Sequence, residues 1–301
     1  MYKSLKDPFV IQHDGFDFKF DFGEPSQFAK DVARTELRET PENVENGLKE
    51  LRRLLRDEPN LHCPLEHDLW LMSFLRLAHF YPEEALKKIQ NFYKYRLKYP
   101  EICENLNLSA IKEYLEGYHG SMLPQRDQCG RRIYLGLCGK YWNHKKWHRD
   151  YSLKSFLMHS EYLRCEPETQ ICGIHIIVDM DSLTVRQALL ITVRYLQCLV
   201  ELVQSGMGIR IKGFHVLNQP QITNVIYSLA KPFIQEKFVS RIYFHGKDMT
   251  SLHRHISPEC LPKCYGGTLQ EAKQSYGPQV YELFKRYEQD YQQFAQYGYR
   301  K

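Results

Sequence analysis

The chain has 301 residues, 43% of them hydrophobic and 26% charged, an ordinary balance for a globular protein with one large or two smaller domains. Its formal charge of +5 falls short of the dense basic stripe of a nucleic-acid domain, yet permits contact with an anionic surface. No apolar run approaches the roughly 20 residues of a membrane span, and Met1 to Pro8 lacks a signal core, so a cytosolic protein is expected.

Residues 1–27 mix aromatic and charged side chains without sustained period and predict a flexible arm. A helical pattern begins near Phe28, and Thr40-Pro41 reads as an N-cap with proline at the first helical position. Val44, Leu48, Leu51, Leu54 and Leu55 form the stripe of that helix. Further helices are expected from Asp68, with Leu71, Leu75 and Phe80 inward, and from Pro82 to Pro100, with Ala85, Ile89, Phe92 and Tyr93 inward. The lysines on its other face, Lys87, Lys88, Lys94 and Lys98, read as a solvated surface. A short helix is expected around Ile111 and Leu115.

Ile133 to Cys138 is the first convincing strand. Leu153 to Leu163 is helical, and Gln170 to Asp179 reads as a strand buried on both faces. Leu183 to Val203 predicts one long helix. Ile209 to Asn218 is β-branched and partly alternating, a strand. After Gln219-Pro220, apolar residues from Ile222 to Phe238 recur at helical spacing, so Gln221 to Phe238 is expected as one amphipathic helix kinked at Pro232. Ser240 to His245 is the next strand. Strands alternating with helices predict an α/β fold with a mainly parallel sheet. Residues 271–301 carry Tyr281, Phe284, Tyr287, Tyr291 and Phe294 at helical spacing and predict a helical tail.

Little in the chain specifies catalysis. His62-Cys63 lacks the arginine that would complete a phosphatase cradle, and there is no nucleophile elbow, P-loop or dinucleotide fingerprint. His253, His255, Cys260 and Cys264 have ligand types suited to zinc at an unsuitable spacing, so no metal is expected. The nine cysteines, odd in number and scattered, read as reduced thiols. No cofactor is implied.

Gly213-Phe214-His215-Val216-Leu217-Asn218-Gln219-Pro220, Lys231-Pro232-Phe233, His245-Gly246, Leu261-Pro262 and Tyr265-Gly266-Gly267-Thr268 form an ordered series. It resembles the signature of the CRAL-TRIO (Sec14-like) lipid-binding family, on its tocopherol- and retinaldehyde-binding branch. The resemblance implies a small helical domain at 28–104, an α/β lipid-binding domain at 105–270 with an internal apolar cavity and a gate helix, and no enzyme activity.

It also implies which residues line that cavity: Leu153, Phe156, Ser160, Ile174, Val178, Leu199, Leu202, Val203, Met207, Ile211 and Phe214, with Ile222, Ile226 and Leu229 from the gate. Periodicity alone is met equally well by a dry core. Ile211 and Phe214 have opposite parity, so both reach one face only if Gly213 makes a bulge.

Arg210 and Lys212 alternate with Ile209 and Ile211 and share a strand face. With Lys237 and Arg241 they match, by charge type, the family positions that grip a phosphoinositide. Ala78 stands where the family pattern has arginine, with Arg76 nearby. The expectation is a monomeric carrier of a small hydrophobic ligand (a tocopherol, retinoid, carotenoid or similar isoprenoid) that touches phosphoinositide-containing membranes transiently. The alternative is a Sec14-type phospholipid exchanger or sensor, for which the expected lining offers only Ser160 and Tyr227 as headgroup partners.

Overall fold

The computed structural model describes residues 9–300 apart from Asp14, Asn105, Tyr118 and 270–275. The first eight residues of the expected arm, and the expected domain limits at 105 and 270, lie outside the described residues.

Helices come first. Ser26 caps α1 (Gln27–Leu37), its hydroxyl accepting from Ala29 N, and Thr40 caps α2 (Pro41–Arg56) in the same way through Asn43 N. The stripe of α2 closes on α3 (Asp68–Leu77) and α4 (Pro82–Lys98), burying Leu51, Leu55, Trp70, Phe74, Ile89 and Phe92 in one core. The short α5 (Pro100–Cys103) and α6 (Leu108–Glu116) lead into the sheet.

The segment expected as a flexible arm packs from Phe9 onward. Strands β1 (Ile11–His13) and β2 (Phe16–Phe18) form a hairpin, and Phe18 and Phe20 are buried. The Phe20 ring stacks on Tyr162 and Phe284 at centroid distances of 5.4 and 6.0 Å. These contacts lie far apart in sequence, so local periodicity carried no sign of them. The expected C-terminal tail is likewise part of the core: α14 (Gly277–Arg286) buries Val280, Leu283 and Phe284, and α15 (Glu288–Phe294) follows. A small two-stranded pairing of β3 (Leu61–His62) with β9 (Gly298–Tyr299) joins the chain's end to the helical region.

The central sheet runs β4 (Gly120–Met122), β5 (Arg132–Leu137), β6 (Ile174–Asp179), β7 (Ile211–Leu217), β8 (Ile242–Gly246), in that spatial order. β4 is antiparallel to β5 and the other pairs are parallel. Helices α7 (Asp150–Leu163), α10 (Val193–Glu201) and α11 (Thr223–Ala230) cover one face. The other face packs on α13 (Met249–His253) and on Leu261 and Tyr265. The fold is therefore α/β, with a mostly parallel sheet behind a helical N-terminal region.

Three expectations need correction. Gln170 to Cys172 belongs to α8 (Pro167–Cys172), and Gly173, at φ 84°, turns the chain into β6. The long helix expected from Leu183 is two pieces, α9 (Val185–Ala188) and α10, because Thr192 starts a new helix by accepting from Tyr195 N. The gate is not one kinked helix either. Pro232 cannot donate to the helical ladder, and α11 gives way to a 3₁₀ turn over Lys231–Phe233 and then to α12 (Glu236–Val239).

The bulge at the start of β7 is present. Ile211 pairs with Ile174 but Gly213 pairs with His175, so Lys212 is the extra residue. A Cβ on Gly213 would lie 2.4 Å from His215 Nε2, which explains the glycine. On this face His175 Nδ1, His215 and His245 form a hydrogen-bonded row at 2.9 and 3.0 Å.

Candidate functional site

The cavity lies between the sheet and the helices, with a volume of about 200 Å³. Period-two alternation turns Ile176 and Val178 of β6 towards it, and β7 adds Phe214 and Val216. From α7 come Ser152, Leu153 and Phe156, Phe156 lying four residues after Ser152 and three after Leu153 and so on their helical face. Helix α10 supplies Tyr195, Leu196 and Leu199, the π-helical turn Leu202–Gly206 supplies Val203, and the gate supplies Thr223, Ile226, Tyr227 and Ala230. Ile234 and Phe238 close the wall beyond the gate.

Of the expected lining, Leu153, Phe156, Val178, Leu199, Val203, Phe214 and Ile226 border this space. The other seven stand elsewhere. Ile174, Leu202, Met207 and Ile211 are buried in the solid core that continues from the cavity. Ser160 is fully buried and donates to Leu157 O at 2.6 Å. Ile222 packs among Leu183, Ala188 and Leu196, and Leu229 faces solvent. Helical and strand periods assign a face but not a depth, so residues of one face divide between wall and core. Arg149, His119, Ser152 and Tyr195 were not anticipated. A signal existed for Arg149, which precedes Ser152, Leu153 and Phe156 by three, four and seven residues and so shares their helical face.

The outer surface over the gate is apolar. Leu189 is 75% exposed and Val185 63%, and Val193, Val225 and Leu229 are exposed as well. Ala188, Leu196, Ile226 and Ala230, on the same helices α9, α10 and α11, pack together beneath them.

The basic residues divide into two groups. Arg210 Nη2 and Lys212 Nζ each approach Glu36 Oε2 of α1 at 3.4 Å. Arg210 also donates to Ile171 O, and Arg241 Nη1 donates to Ile211 O at 2.8 Å. Burial would raise the Glu36 carboxyl, but Lys212 and Arg210 bring it below its ordinary range. Burial, then Arg210, lowers the Lys212 ammonium. Lys237 is exposed on α12, and its charge acts on Lys88 and Glu84 of α4. Arg76, the expected substitute near Ala78, is buried and held by Glu39 at 2.6 Å and by Gln170 Oε1 at 2.6 Å, so it is committed to the fold.

The residues weighed for zinc have other partners. His253 Nε2 meets Tyr265 O at 2.8 Å, and the His255 ring lies against Tyr243 with centroids 4.1 Å apart. Among the described residues no group of three or more His, Cys, Asp or Glu is placed to hold a metal ion. Among the same residues, no helix is long and apolar enough to cross a membrane. Asp179 ends β6 as a structural acceptor, taking hydrogen bonds from Asp181 N, Asn218 Nδ2 and Tyr265 Oη.

The CRAL/TRIO domain model matches residues 116–267, half of the chain and the whole segment that builds the sheet and the gate. The chain belongs to the CRAL/TRIO family. Among curated relatives, the human alpha-tocopherol transfer protein-like protein is 33% identical over 240 residues, covering 79% of this chain and 70% of its own length. Clavesin-1 of Rattus norvegicus is 32% identical, covering 79% of this chain and 67% of its own. A solved structure, Sfh5, aligns over 86% of this chain and 98% of its own at 11% identity, with a TM-score of 0.46, too loose a likeness to add to the family assignment.

Proposed function

We propose that this CRAL/TRIO protein is a cytoplasmic carrier that takes a small hydrophobic ligand into the cavity and passes it between membranes, rather than an enzyme. The observation that carries the reading is the pairing of an apolar cavity with a gate whose outer surface, around Leu189, Val185 and Val225, is also apolar. Apolar patches of this kind mark membrane or protein contacts. Burying each methylene contributes about 0.8 kcal/mol, so a ligand that buries at least about ten to fifteen carbons would bind at about micromolar affinity or tighter after association costs. Tocopherols, retinoids, carotenoids and similar isoprenoids fit this description, and one relative is named for tocopherol transfer.

The second part of the proposal is a phosphoinositide site at Arg210, Lys212 and Arg241, with Lys237 contributing from the far side of the gate. Guanidinium and ammonium groups suit phosphate through charge-assisted hydrogen bonds. Carrier and membrane would meet transiently and the chain would act as a monomer. Mass spectrometry of an organic extract of gently purified protein, followed by transfer of the recovered ligand from donor to acceptor vesicles, tests the reading. An extract without lipid, together with no uptake from vesicles, would remove it.

A further inference from the structure

One side chain in the cavity wall is chemically unlike the rest. Arg149 lines the cavity among described residues that include no Asp or Glu. Its Nε is shut off from solvent and meets no hydrogen-bond acceptor among the described residues. The adjacent carboxylate makes only a long ion pair with it: Asp150 Oδ1 lies 3.9 Å from that Nε, beyond hydrogen-bond reach, and Asp150 Oδ2 stands 3.0 Å from His148 Nδ1. The Arg149 side chain is only 20% exposed. A cation at the edge of an apolar space is costly unless an anion pairs with it.

A second polar group stands at the same end. His119 lines the cavity, and its Nδ1 is buried without a partner among the described residues. Its ring stacks on Tyr114 at 4.4 Å and meets Trp147, two residues before Arg149, at 6.3 Å, and Tyr114 in turn meets Tyr151, two residues after it, at 5.7 Å. Burial, then Lys146, lowers its pKa, so the ring is neutral at pH 7 and can make one more hydrogen bond.

The hydroxyls nearby are already engaged. Ser152 Oγ donates to Arg149 O at 2.6 Å, which leaves Tyr195 Oη as the donor to Ser152 Oγ at 2.9 Å. They pin the backbone of Arg149, whose guanidinium has beside it, among the described residues, only the Asp150 carboxylate at 3.9 Å and the Tyr195 ring, its centroid 5.9 Å away, and no hydrogen-bond acceptor for its Nε. Elsewhere the wall is mainly apolar, with Phe156, Val203, Phe214, Ile226 and Phe238, and Thr223 and Tyr227 come from the gate. The cavity is therefore two-ended, with one fixed positive charge and one free imidazole facing an apolar remainder.

We propose that the cargo is a lipophilic carboxylate, a fatty or isoprenoid acid whose head pairs with Arg149 and whose tail fills the apolar end. This rests on the carrier reading above. A planar carboxylate matches the guanidinium fork and cancels its single charge. An alcohol of equal length leaves that charge unpaired, and a phosphate monoester brings more charge than one arginine neutralises. His119 completes the head site as hydrogen-bond partner to the second carboxylate oxygen.

The test measures binding to the full chain at pH 7.4 for matched probes: retinoic acid against retinol, and palmitate against hexadecanol and hexadecyl phosphate. Wild type is expected to bind each acid about tenfold or more tighter than its alcohol, as a charged hydrogen bond implies, and palmitate tighter than the phosphate. Arg149→Gln is expected to bring acid affinity down to that of the alcohol while alcohol affinity stays within about twofold. Equal or tighter alcohol binding by wild type, or tighter phosphate binding, overturns the proposal without needing the variant. Equal loss of acid and alcohol in a folded Arg149→Gln protein overturns it too. If wild type takes up none of the five probes and no vesicle lipid, the carrier reading itself fails.

Discussion

Gln204 grips the backbone at Gln235: its side-chain oxygen accepts from Gln235 N at 2.8 Å while its amide donates to Phe233 O at 3.0 Å. One side chain thus ties the end of the 3₁₀ turn, at Phe233, and the start of α12, at Gln235, and on the proposed carrier function an opening gate would hinge between them. Gln204 does so from the π-helical turn Leu202–Gly206, an irregularity often found at functional positions.

Gln204→Leu removes both bonds at similar volume, and each partner then turns to water at a cost of about 1 kcal/mol. Ligand release should speed up by about five- to tenfold, with association speeding up alongside and affinity changing less. Gln204→Glu, which keeps only the acceptor, should fall between. Stopped-flow release of a fluorescent ligand measures this, and an unchanged rate in the folded Leu variant would rule out a latch.

Leu199 points from α10 into the cavity wall. Leu199→Trp should occupy the space that a ligand needs and lower affinity by about tenfold or more, at a stability cost of about 1–3 kcal/mol. Thermal melting establishes that the variant folds. A folded variant that binds like wild type would place the ligand somewhere else.

Glu36 holds the two cations that the proposed phosphoinositide site requires. Its carboxylate is half exposed, so the competition it offers is modest. Glu36→Gln should raise binding to phosphoinositide-containing vesicles by about two- to fivefold at low salt, and Arg210→Ala with Lys212→Ala should lower it below wild type. Vesicle co-sedimentation reads both. If Glu36→Gln binds no better while the double variant binds worse, Glu36 is no competitor; if neither differs from wild type, the basic group has no headgroup role.

Stability should fall on the acid side of neutrality. In the histidine row, Arg131 can only donate to His175 Nε2, which makes His175 Nδ1–H the donor to His215 and, in turn, His215 the donor to His245 and His245 the donor to Ser251 Oγ. All three rings are neutral in this arrangement. Burial, helped by Arg131 at His175, by His175 and His245 at His215, and by His255 at His245, lowers their pKa values to about 3, about 2 and about 4. The folded values lie below the ordinary 6.5, so the unfolded chain takes up protons first. Stability is full above about 6.5 and declines below it, by about 1.4 kcal/mol per ring for each pH unit until the folded values are reached. Glu166 adds to the loss at lower pH. Burial would raise its carboxyl, but Arg132 and Arg126 outweigh that and lower it from 4.5 to about 2, so its contribution is present above 4.5 and lost as the pH falls to about 2. Melting temperatures should be level from pH 7.5 to about 6.5 and fall from there to pH 5. A flat profile would show that the imidazoles protonate without unfolding the row.

The sequence by itself determined the order and type of the main elements, because each is written in local pattern. Thr40-Pro41 starts a helix through its own side chain and ring, and Ile176 and Val178 share a strand face because the strand period is two. The ordered series from Gly213 to Thr268 placed the chain in its family, and the opposite parity of Ile211 and Phe214 required the bulge that occurs. Only the tertiary structure decided depth and partnership. Ile174 and Val178 have the same parity, yet one is solid core and the other borders the cavity, since that depends on how α7 and α10 approach the sheet. Phe20 carries no local sign that it will stack on Tyr162 and Phe284. Glu36 meets Arg210 across 174 residues of chain, and the charge of Arg210 does not reveal whether a ligand or its own protein will pair with it. Helical spacing sets Arg149 on the face of Ser152, Leu153 and Phe156, but only the tertiary structure leaves its Nε without a hydrogen-bond acceptor among the described residues. A local period reports which way a side chain points, whereas a binding site depends on what distant segments bring to meet it.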